Sequence, residues 1–315
     1  MIRRRHLLQA LPSLAVMPLA WAATARAFVP NEKSGTISVI DLATDQVQRE
    51  FKVGGRPRGI ALSRDAGTVF ITDEERGVVA VDTASGAVRK QVAVGKSPEG
   101  VYASRDGRWL AVAVEESNAV ALVDTATLTV AATVTVKGKN PEHAVFSPDG
   151  RWIYVGAEDG AQVDVIDVAA RSVVRSIPLG RRPRGIGFSP DGSFAWIACE
   201  LESRVFVVDV ARHEVAGDFA AGEFCNGVAV APDGARVYIS NGRSGTVSIV
   251  DAAARKVTAT VPVGQRPWNM GLTPDGAKLY VACGRSNAVA VVDTAAGTKL
   301  KDIAVGVSPW GVVVG

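Results

Sequence analysis

The chain repeats one unit of about 42 residues seven times, and this repetition limits its fold more than any other feature. An aspartate ends an apolar run in every unit: Asp41, Asp82, Asp124, Asp167, Asp209, Asp251 and Asp293. A proline two or three residues after a glycine recurs with the same period: Pro57, Pro98, Pro141, Pro183, Pro267 and Pro309. Cys225 stands at this Pro position in the remaining unit. Such a chain should stack its units into one repetitive body.

Each unit has room for four short strands. The unit from Pro267 to Gly306 predicts strands over residues 269–272, 278–283, 288–293 and 301–305. Its first two strands are separated by Thr273-Pro274-Asp275-Gly276, in which Pro and Gly set the backbone angles of a turn. Seven such units predict an all-β fold, a seven-bladed β-propeller with four-stranded blades.

The two ends of the chain predict how the ring closes. Residues 310–314 suffice for one inner strand only, whereas residues 28–31 and 36–41 match a second and a third strand. We therefore predict that the C-terminal strand pairs with the N-terminal strands in one blade. This closure would leave no open sheet edge.

Residues 1–27 are predicted to be an export signal, and residues 28–315 the propeller. Three arginines precede an apolar stretch that ends in Ala25-Arg26-Ala27. The segment Arg4-Arg5-His6-Leu7-Leu8 resembles a twin-arginine signal, with general secretion and then a retained anchor as alternatives. We expect a periplasmic protein without a membrane span once the signal is removed.

Charge and cysteines exclude several classes of protein. Without the four Arg of the signal, 31 basic residues face 32 acidic ones, a net charge of −1 that disfavours a nucleic-acid-binding surface. Three cysteines make no disulfide framework, although Cys199 and Cys225 are expected to be neighbours that could be bonded. No C-x-x-C-H sequence is present to attach a c-type haem.

The repeats resemble a known family. Tyr154-Val155-Gly156-Ala157, Tyr238-Ile239-Ser240-Asn241 and Tyr280-Val281-Ala282-Cys283 resemble the YVTN repeat, so the whole mature chain resembles YVTN-family, WD40-like seven-bladed propellers. The opening run from Phe28 to Asp41, with Arg56-Pro57-Arg58-Gly59, is similar to periplasmic propellers associated with catabolism that depends on the quinone cofactor PQQ. The resemblance implies a role beside PQQ-dependent alcohol oxidation.

One face of the predicted ring is uniform and the other varies. The turns after the first strand and the aspartates after the third barely change, so we interpret them as architecture. On the other face, the residues beside each Pro position differ from blade to blade. We predict that a ligand or partner binds there, at Arg56, Arg58, Arg182, Arg184, Phe224, Asn226, Arg243, Arg266, Trp268, Arg285 and Trp310.

Two interpretations of that face compete. In one, Phe224, Trp268 and Trp310 fill the central channel of the predicted ring, while each Arg pairs with a neighbouring Glu. In the other, Arg groups around aromatic faces receive a planar anion, and PQQ, a planar tricarboxylate, would fit. One repeat position carries glutamate in five consecutive blades and so forms an acidic crescent: Glu32, Glu74, Glu115, Glu158 and Glu200. The other two blades have Gly242-Arg243 and Gly284-Arg285 there, which predicts a basic gap beside the aromatic sector of Phe224, Trp268 and Trp310.

The sequence favours a non-catalytic binding or accessory protein. It contains no nucleophile–base pair, phosphate loop or paired-His motif, and no metal site is predicted. The alternative is a lactonase-type hydrolase that would use Glu142, His143 and Arg184 at the channel mouth, and a third possibility is a single-stranded DNA-binding propeller. The expected partners are a periplasmic dehydrogenase, an electron carrier or a small planar anion, bound by a monomer.

Replacing both Arg4 and Arg5 by Lys tests the export route. The twin-arginine pathway reads the arginine pair itself, so the double substitution should abolish periplasmic accumulation. Fractionation of expressing cells measures it. An unchanged periplasmic yield would instead assign the protein to general secretion.

Overall fold

The computed structural model describes residues 25–315, which form seven antiparallel sheets of four strands each. We number the blades from the one that begins at Pro57, so that the seventh blade contains both ends of the described chain. The seventh blade consists of β1 (Arg26–Asn31), β2 (Thr36–Asp41), β3 (Gln46–Lys52) and β28 (Val313–Val314). The prediction of an all-β seven-bladed propeller is therefore confirmed.

The other six blades each run from the channel outwards in chain order. Blades 1 and 2 contain β4 (Pro57–Leu62), β5 (Thr68–Asp73), β6 (Gly77–Asp82), β7 (Val88–Val92), β8 (Pro98–Ala103), β9 (Trp109–Val114), β10 (Ala119–Asp124) and β11 (Thr129–Thr135). Blades 3 and 4 contain β12 (Pro141–Phe146), β13 (Trp152–Ala157), β14 (Gln162–Asp167), β15 (Ser172–Pro178), β16 (Pro183–Phe188), β17 (Phe194–Cys199), β18 (Arg204–Asp209) and β19 (Glu214–Ala220). Blades 5 and 6 contain β20 (Cys225–Val230), β21 (Arg236–Asn241), β22 (Thr246–Asp251), β23 (Lys256–Pro262), β24 (Pro267–Leu272), β25 (Lys278–Cys283), β26 (Ala288–Asp293) and β27 (Thr298–Ala304).

The core lies between neighbouring blades rather than within one of them. The second and third strands of each blade are buried on both faces, which explains their continuous apolar runs. Tyr154, Tyr238 and Tyr280, the tyrosines of the YVTN-like repeats, are among the largest fully buried side chains. The outer strands are exposed over most of their length. A short 3-10 helix, Glu115–Ser117, lies in a loop of blade 2, and among residues 25–315 no helix is long and apolar enough to cross a membrane.

The repeated aspartates stabilise turns, as predicted. Oδ1 of Asp124 accepts the backbone N–H groups of Ala126 and Thr127 at 3.0 and 2.9 Å. Asp149, in the turn after the first strand, accepts the hydroxyl of Ser147 and the backbone N–H of Arg151. These bonds satisfy groups that the turn takes out of the strand ladder.

The C-terminal strand closes the ring. Val313 and Val314 pair with Phe28 and Ala27 of β1, and the backbone N–H of Trp310 donates to the carbonyl of Pro30 at 3.0 Å. Ala27 is fully buried in this blade, so a cut after it would remove part of β1. Residues 1–24 of the predicted export signal lie outside the described part of the chain.

One local expectation changes. The fourth strand of blade 6 begins at Thr298, three residues before the predicted start. A bulge at Val291 and Val292 shifts the register, so the alternating pattern breaks while the pairing continues.

Cys199 and Cys225 are neighbours, since the thiol of Cys225 donates to the carbonyl of Cys199 at 3.4 Å, but both are free thiols.

Deleting residues 309–315 should open the ring. The truncation exposes an edge of β1 and the apolar face of blade 6, so we expect a fall of at least several degrees in Tm and a broader transition. Val312→Ala is the control, because it removes buried side-chain volume while the strand pairing remains, and should cost about 1–2 kcal/mol with a sharp transition. Calorimetry measures both. A truncated chain that unfolds cooperatively at the Tm of the intact protein would contradict the closure.

Candidate functional site

The variable face is organised by the residues on either side of each Pro position. In six blades the residue before this position has a left-handed backbone with φ between 53° and 60°: Ser97, Asn140, Arg182, Phe224, Arg266 and Ser308. Its carbonyl accepts the backbone N–H of the residue after the second strand, as in the 2.8 Å bond from Gly242 to Phe224. This bond connects the loop between two blades to the loop between the second and third strands of a blade. The side chains of both kinds of loop therefore form one rim.

The residues after the Pro position point into the channel instead. All seven line a cavity of about 280 Å³, which we call the channel-mouth cavity: Arg58, Glu99, Glu142, Arg184, Asn226, Trp268 and Trp310. His143 lies in the same cavity, so the residues after each Pro position do surround the channel mouth. Five Glu but only three Arg line the cavity.

Carboxylates neutralise the arginines of the channel mouth. Arg184 contacts Glu142, Glu158 and Glu200, with 3.2 Å between its Nε and an oxygen of Glu200. Glu200 is fully buried and accepts a second bond from Arg266, at 2.9 Å. Removing one member of such a network would leave a buried charge unpaired, at a cost of about 3–5 kcal/mol.

The arginines of blades 1 and 4 are paired in the same way. Arg58 donates to Glu32 at 3.1 Å and contacts Glu99. Arg56 lies 2.6 Å from both Glu32 and Glu74. Arg182 pairs with Glu158 at 3.2 Å, and the acidic crescent therefore serves largely as the partner of these arginines. A polyanion would meet more negative than positive charge in this cavity, so the pairing interpretation describes it better.

Glu99 lies between these charges with its side chain 6% exposed. Burial raises the pKa of its carboxyl to about 7, although the neighbouring Arg58 opposes the shift. Part of the Glu99 population therefore holds a proton near neutral pH. The sequence placed Glu99 beside a Pro position, but nothing in it indicated this protonation.

His143 is built into the wall of the cavity. Its ring stacks on Trp310 with 5.8 Å between centroids, and its Nδ1 lies 2.6 Å from the hydroxyl of Tyr102. Burial lowers the pKa of His143 to about 4 and raises that of Tyr102, so a neutral imidazole and a neutral phenol share this hydrogen bond. Nε2 is 4.0 Å from Glu142, so the three weak catalytic candidates, Glu142, His143 and Arg184, do come together. A histidine with so low a pKa is a poor general base at neutral pH.

The predicted aromatic sector is divided between two places. Trp268 packs over Gly284, where a Cβ would come within 2.8 Å of the indole, and Trp310 packs on His143. Phe224 instead lies on the rim, because it precedes the Pro position whereas both tryptophans follow it. Packing explains the two tryptophans, and of the three aromatic residues Phe224 lines the groove at the basic gap.

The basic gap forms a groove of about 690 Å³ on the rim of blades 5 and 6. Four cationic side chains line this basic groove, and none of its lining residues is acidic: Arg243, Arg266, Arg285 and Lys299. The guanidinium of Arg243 lies 3.8 Å from the centroid of the Phe224 ring. Within residues 25–315, neither Arg243 nor Arg285 has a carboxylate within 4.0 Å, whereas Lys299 pairs with Asp302. Lys299, on the outer strand, was not predicted.

No cluster of three or more His, Cys, Asp or Glu side chains among the described residues could hold a metal ion. On the variable face, the groups that could meet a ligand are the cations of the basic groove and the mixed charges of the channel-mouth cavity. Both lie on the same face of the ring.

Comparisons with known proteins agree with the fold. The family model of the seven-bladed β-propeller Lactonase matches residues 170–305, and that of the YNCE-like β-propeller matches residues 19–107. No curated protein sequence matches the chain. A chain of hydrazine synthase from Kuenenia stuttgartiensis is 24% identical, with 85% of this chain and 92% of that chain covered and a TM-score of 0.78. A functionally unknown protein from Desulfotomaculum acetoxidans DSM 771 is 16% identical, with 92% and 98% covered and a TM-score of 0.81. The chain is a seven-bladed β-propeller that is similar to the Lactonase and YNCE-like families over separate parts of its length.

Glu99→Gln should change the dependence of stability on pH. The native carboxyl has a higher pKa than the unfolded one, so the unfolded chain loses this proton first and the native state loses stability as pH rises from about 4.5 to about 7. The variant lacks this loss. Relative to the wild type, its free energy of unfolding should rise between pH 5 and pH 8 by on the order of 1–3 kcal/mol.

Urea unfolding at several pH values measures this difference. Glu116→Gln is the control, since Glu116 is an exposed residue of the same blade. A wild type that instead gains stability relative to the Glu99 variant with rising pH would mean that Arg58 holds the pKa of Glu99 below its unfolded value.

Proposed function

We propose that the protein is a non-catalytic binding or accessory propeller of the periplasm, associated with PQQ-dependent alcohol oxidation, and that it receives an anionic ligand or partner in the basic groove. One observation carries this proposal. Arg243 and Arg285 are exposed and have no carboxylate partner among the described residues, while the arginines of the channel mouth are paired. Unpaired guanidinium groups are available for bidentate bonds to carboxylates.

The shape of the groove supports a small planar anion or a carboxylate on a partner protein. Phe224 forms one wall, and Arg243 lies over its ring, so one guanidinium is held in place before a ligand binds. A preorganised donor loses less conformational entropy on binding. PQQ carries three carboxylates on a planar ring system and matches both features. A dehydrogenase or an electron carrier would use the same cations through acidic side chains.

A lactonase-type hydrolase is the second candidate, supported by the convergence of Glu142, His143 and Arg184 in the channel-mouth cavity. The low pKa of His143 weakens this candidate, because the imidazole would be a weak base. Hydrolysis of glucono-1,5-lactone by the wild type, lost in Glu142→Gln, would replace the non-catalytic proposal with this one.

The double substitution Arg243→Glu with Arg285→Glu tests the binding proposal. It introduces the residue that blades 1 and 2 carry at this repeat position, Glu75 and Glu116, so the loop geometry should accept it. PQQ should bind the wild type and lose about a hundredfold or more in affinity, since two charge-assisted bonds become repulsive. Calorimetric titration measures the affinity.

Arg181→Glu provides the matched control. Arg181 is another exposed arginine of the same face but is already paired with Glu202 at 3.0 Å, outside the basic groove. This control should bind PQQ nearly as the wild type does. Equal losses in both variants would reduce the effect to general electrostatics, and an unchanged affinity in the double variant would remove the groove from the proposal.

A further inference from the structure

The face opposite the channel mouth also departs from the repeat, at the turns of blades 1 to 3. Blades 3 to 6 have Pro in the second position of the turn after the first strand, whereas blades 1 and 2 have Arg64 and Arg105. At the end of this turn, blades 2 and 3 have Arg108-Trp109 and Arg151-Trp152. Blades 5 and 6 have alanine in place of the arginine, and uniform architecture does not require the change.

The two arginines of the Arg-Trp pairs cover their own tryptophans. The guanidinium of Arg108 lies 4.7 Å from the ring centroid of Trp109, and that of Arg151 lies 4.3 Å from Trp152. Such stacking fixes the plane of the guanidinium and leaves its N–H edges free to bind. The faces of the two indoles that the guanidiniums cover are no longer open to a ligand.

Trp109 separates two depressions on this face. The outer one, of about 300 Å³, lies between blades 2 and 3 and has no acidic residue in its lining, while Arg108, Arg151 and Arg171 contribute three positive charges. Its floor is apolar, with Leu122 and Val168. The inner one, of about 500 Å³, contains Arg64 and Arg105 together with Asp106 and Asp149.

Five arginines of this surface have no carboxylate within 4.0 Å among residues 25–315: Arg64, Arg105, Arg108, Arg151 and Arg171. Asp106 and Asp149 each accept a serine hydroxyl and a backbone N–H from their own turn. Arg171 is held across the blades by a 3.2 Å bond to the carbonyl of Ala131. The surface therefore keeps an excess of positive charge and three guanidiniums that are held in place, unlike the channel mouth, where carboxylates outnumber arginines.

We propose that this Arg–Trp surface, formed by Arg64, Arg105, Arg108, Arg151 and Arg171 around Trp109, docks an extended acidic segment of a partner protein. Carboxylates match the free guanidinium edges, and the apolar floor suits the methylene groups of glutamate. Two depressions that adjoin at Trp109 suit a segment of several residues rather than a single small anion. Single-stranded nucleic acid is disfavoured, because its binding relies on open aromatic faces that the arginines occupy here.

Arg108→Ala with Arg151→Ala tests the assignment. Alanine is the residue of blades 5 and 6 at this position, Ala235 and Ala277, so the turn should keep its fold. The probe is a fluorescein-labelled peptide of six glutamates, and hexathymidylate is the comparison. Hydrogen exchange locates the bound peptide, which the basic groove of the other face would also attract.

In the wild type, the peptide should slow exchange in the turns over residues 104–109 and 147–152. The double variant should lose this protection and bind the peptide at this site about tenfold or more weakly. Arg243→Glu with Arg285→Glu, on the opposite face, should leave the protection of both turns intact. Unchanged protection in the alanine variant would overturn the proposal, as would stronger protection of these turns by hexathymidylate than by the peptide.

Discussion

The pairing of β28 with β1 is the constraint on which the rest of the structure depends. Blades bury their second and third strands only against neighbouring blades, so an open ring would leave one apolar face bare at each end. The closing bonds join residues almost three hundred positions apart, including the reciprocal backbone bonds between Arg26 and Gly315. Forming them is entropically costly, and the contacts of all seven blades become mutually supportive only after closure.

Closure also sets the electrostatics of the channel mouth. Seven side chains, one from each blade, are forced into one cavity whatever their charge, and two of them are glutamates. Burying carboxylates without partners would be costly, so arginines from other blades must reach them. Arg184 of blade 4 reaches Glu142 and Glu158 of blade 3. Arg266 reaches from blade 6 to Glu200 of blade 4, which Arg184 contacts within its own blade. The network pairs the arginines of the mouth, and burial raises the pKa of the Glu99 carboxyl there to about 7.

The sequence predicted the fold because each of its signals is local and repeated. Asp124 acts on backbone groups two and three residues away, so its role follows from its neighbours in the chain. The residues of the variable face were also predictable as a set, because their position in the repeat fixes which end of the blade they occupy. The separation of these residues into a rim and a channel lining was not predictable, because it depends on the left-handed backbone before the Pro position in six of the blades.

The partners of the charged residues were less predictable still. Arg58 meets Glu99 across 41 residues of sequence and Arg266 meets Glu200 across 66, and periodicity gives no side-chain direction. Periodicity also did not separate Phe224 on the rim from Trp268 and Trp310 in the channel lining. All three flank Pro positions, but only the two tryptophans follow one and point inwards.

Exposed arginines without a carboxylate partner among the described residues line both basic surfaces. The arginines of the channel mouth, in contrast, are paired with carboxylates. Arg243 and Arg285 on one face, and Arg108 and Arg151 on the other, have no carboxylate partner among the described residues. Three of these four, Arg108, Arg151 and Arg243, lie over an aromatic ring. Stacking holds the cation in place without using its hydrogen-bond donors, so these positions combine order with unused binding capacity. The two surfaces lie on opposite faces of the ring, so each can be tested by substitutions that leave the other unchanged.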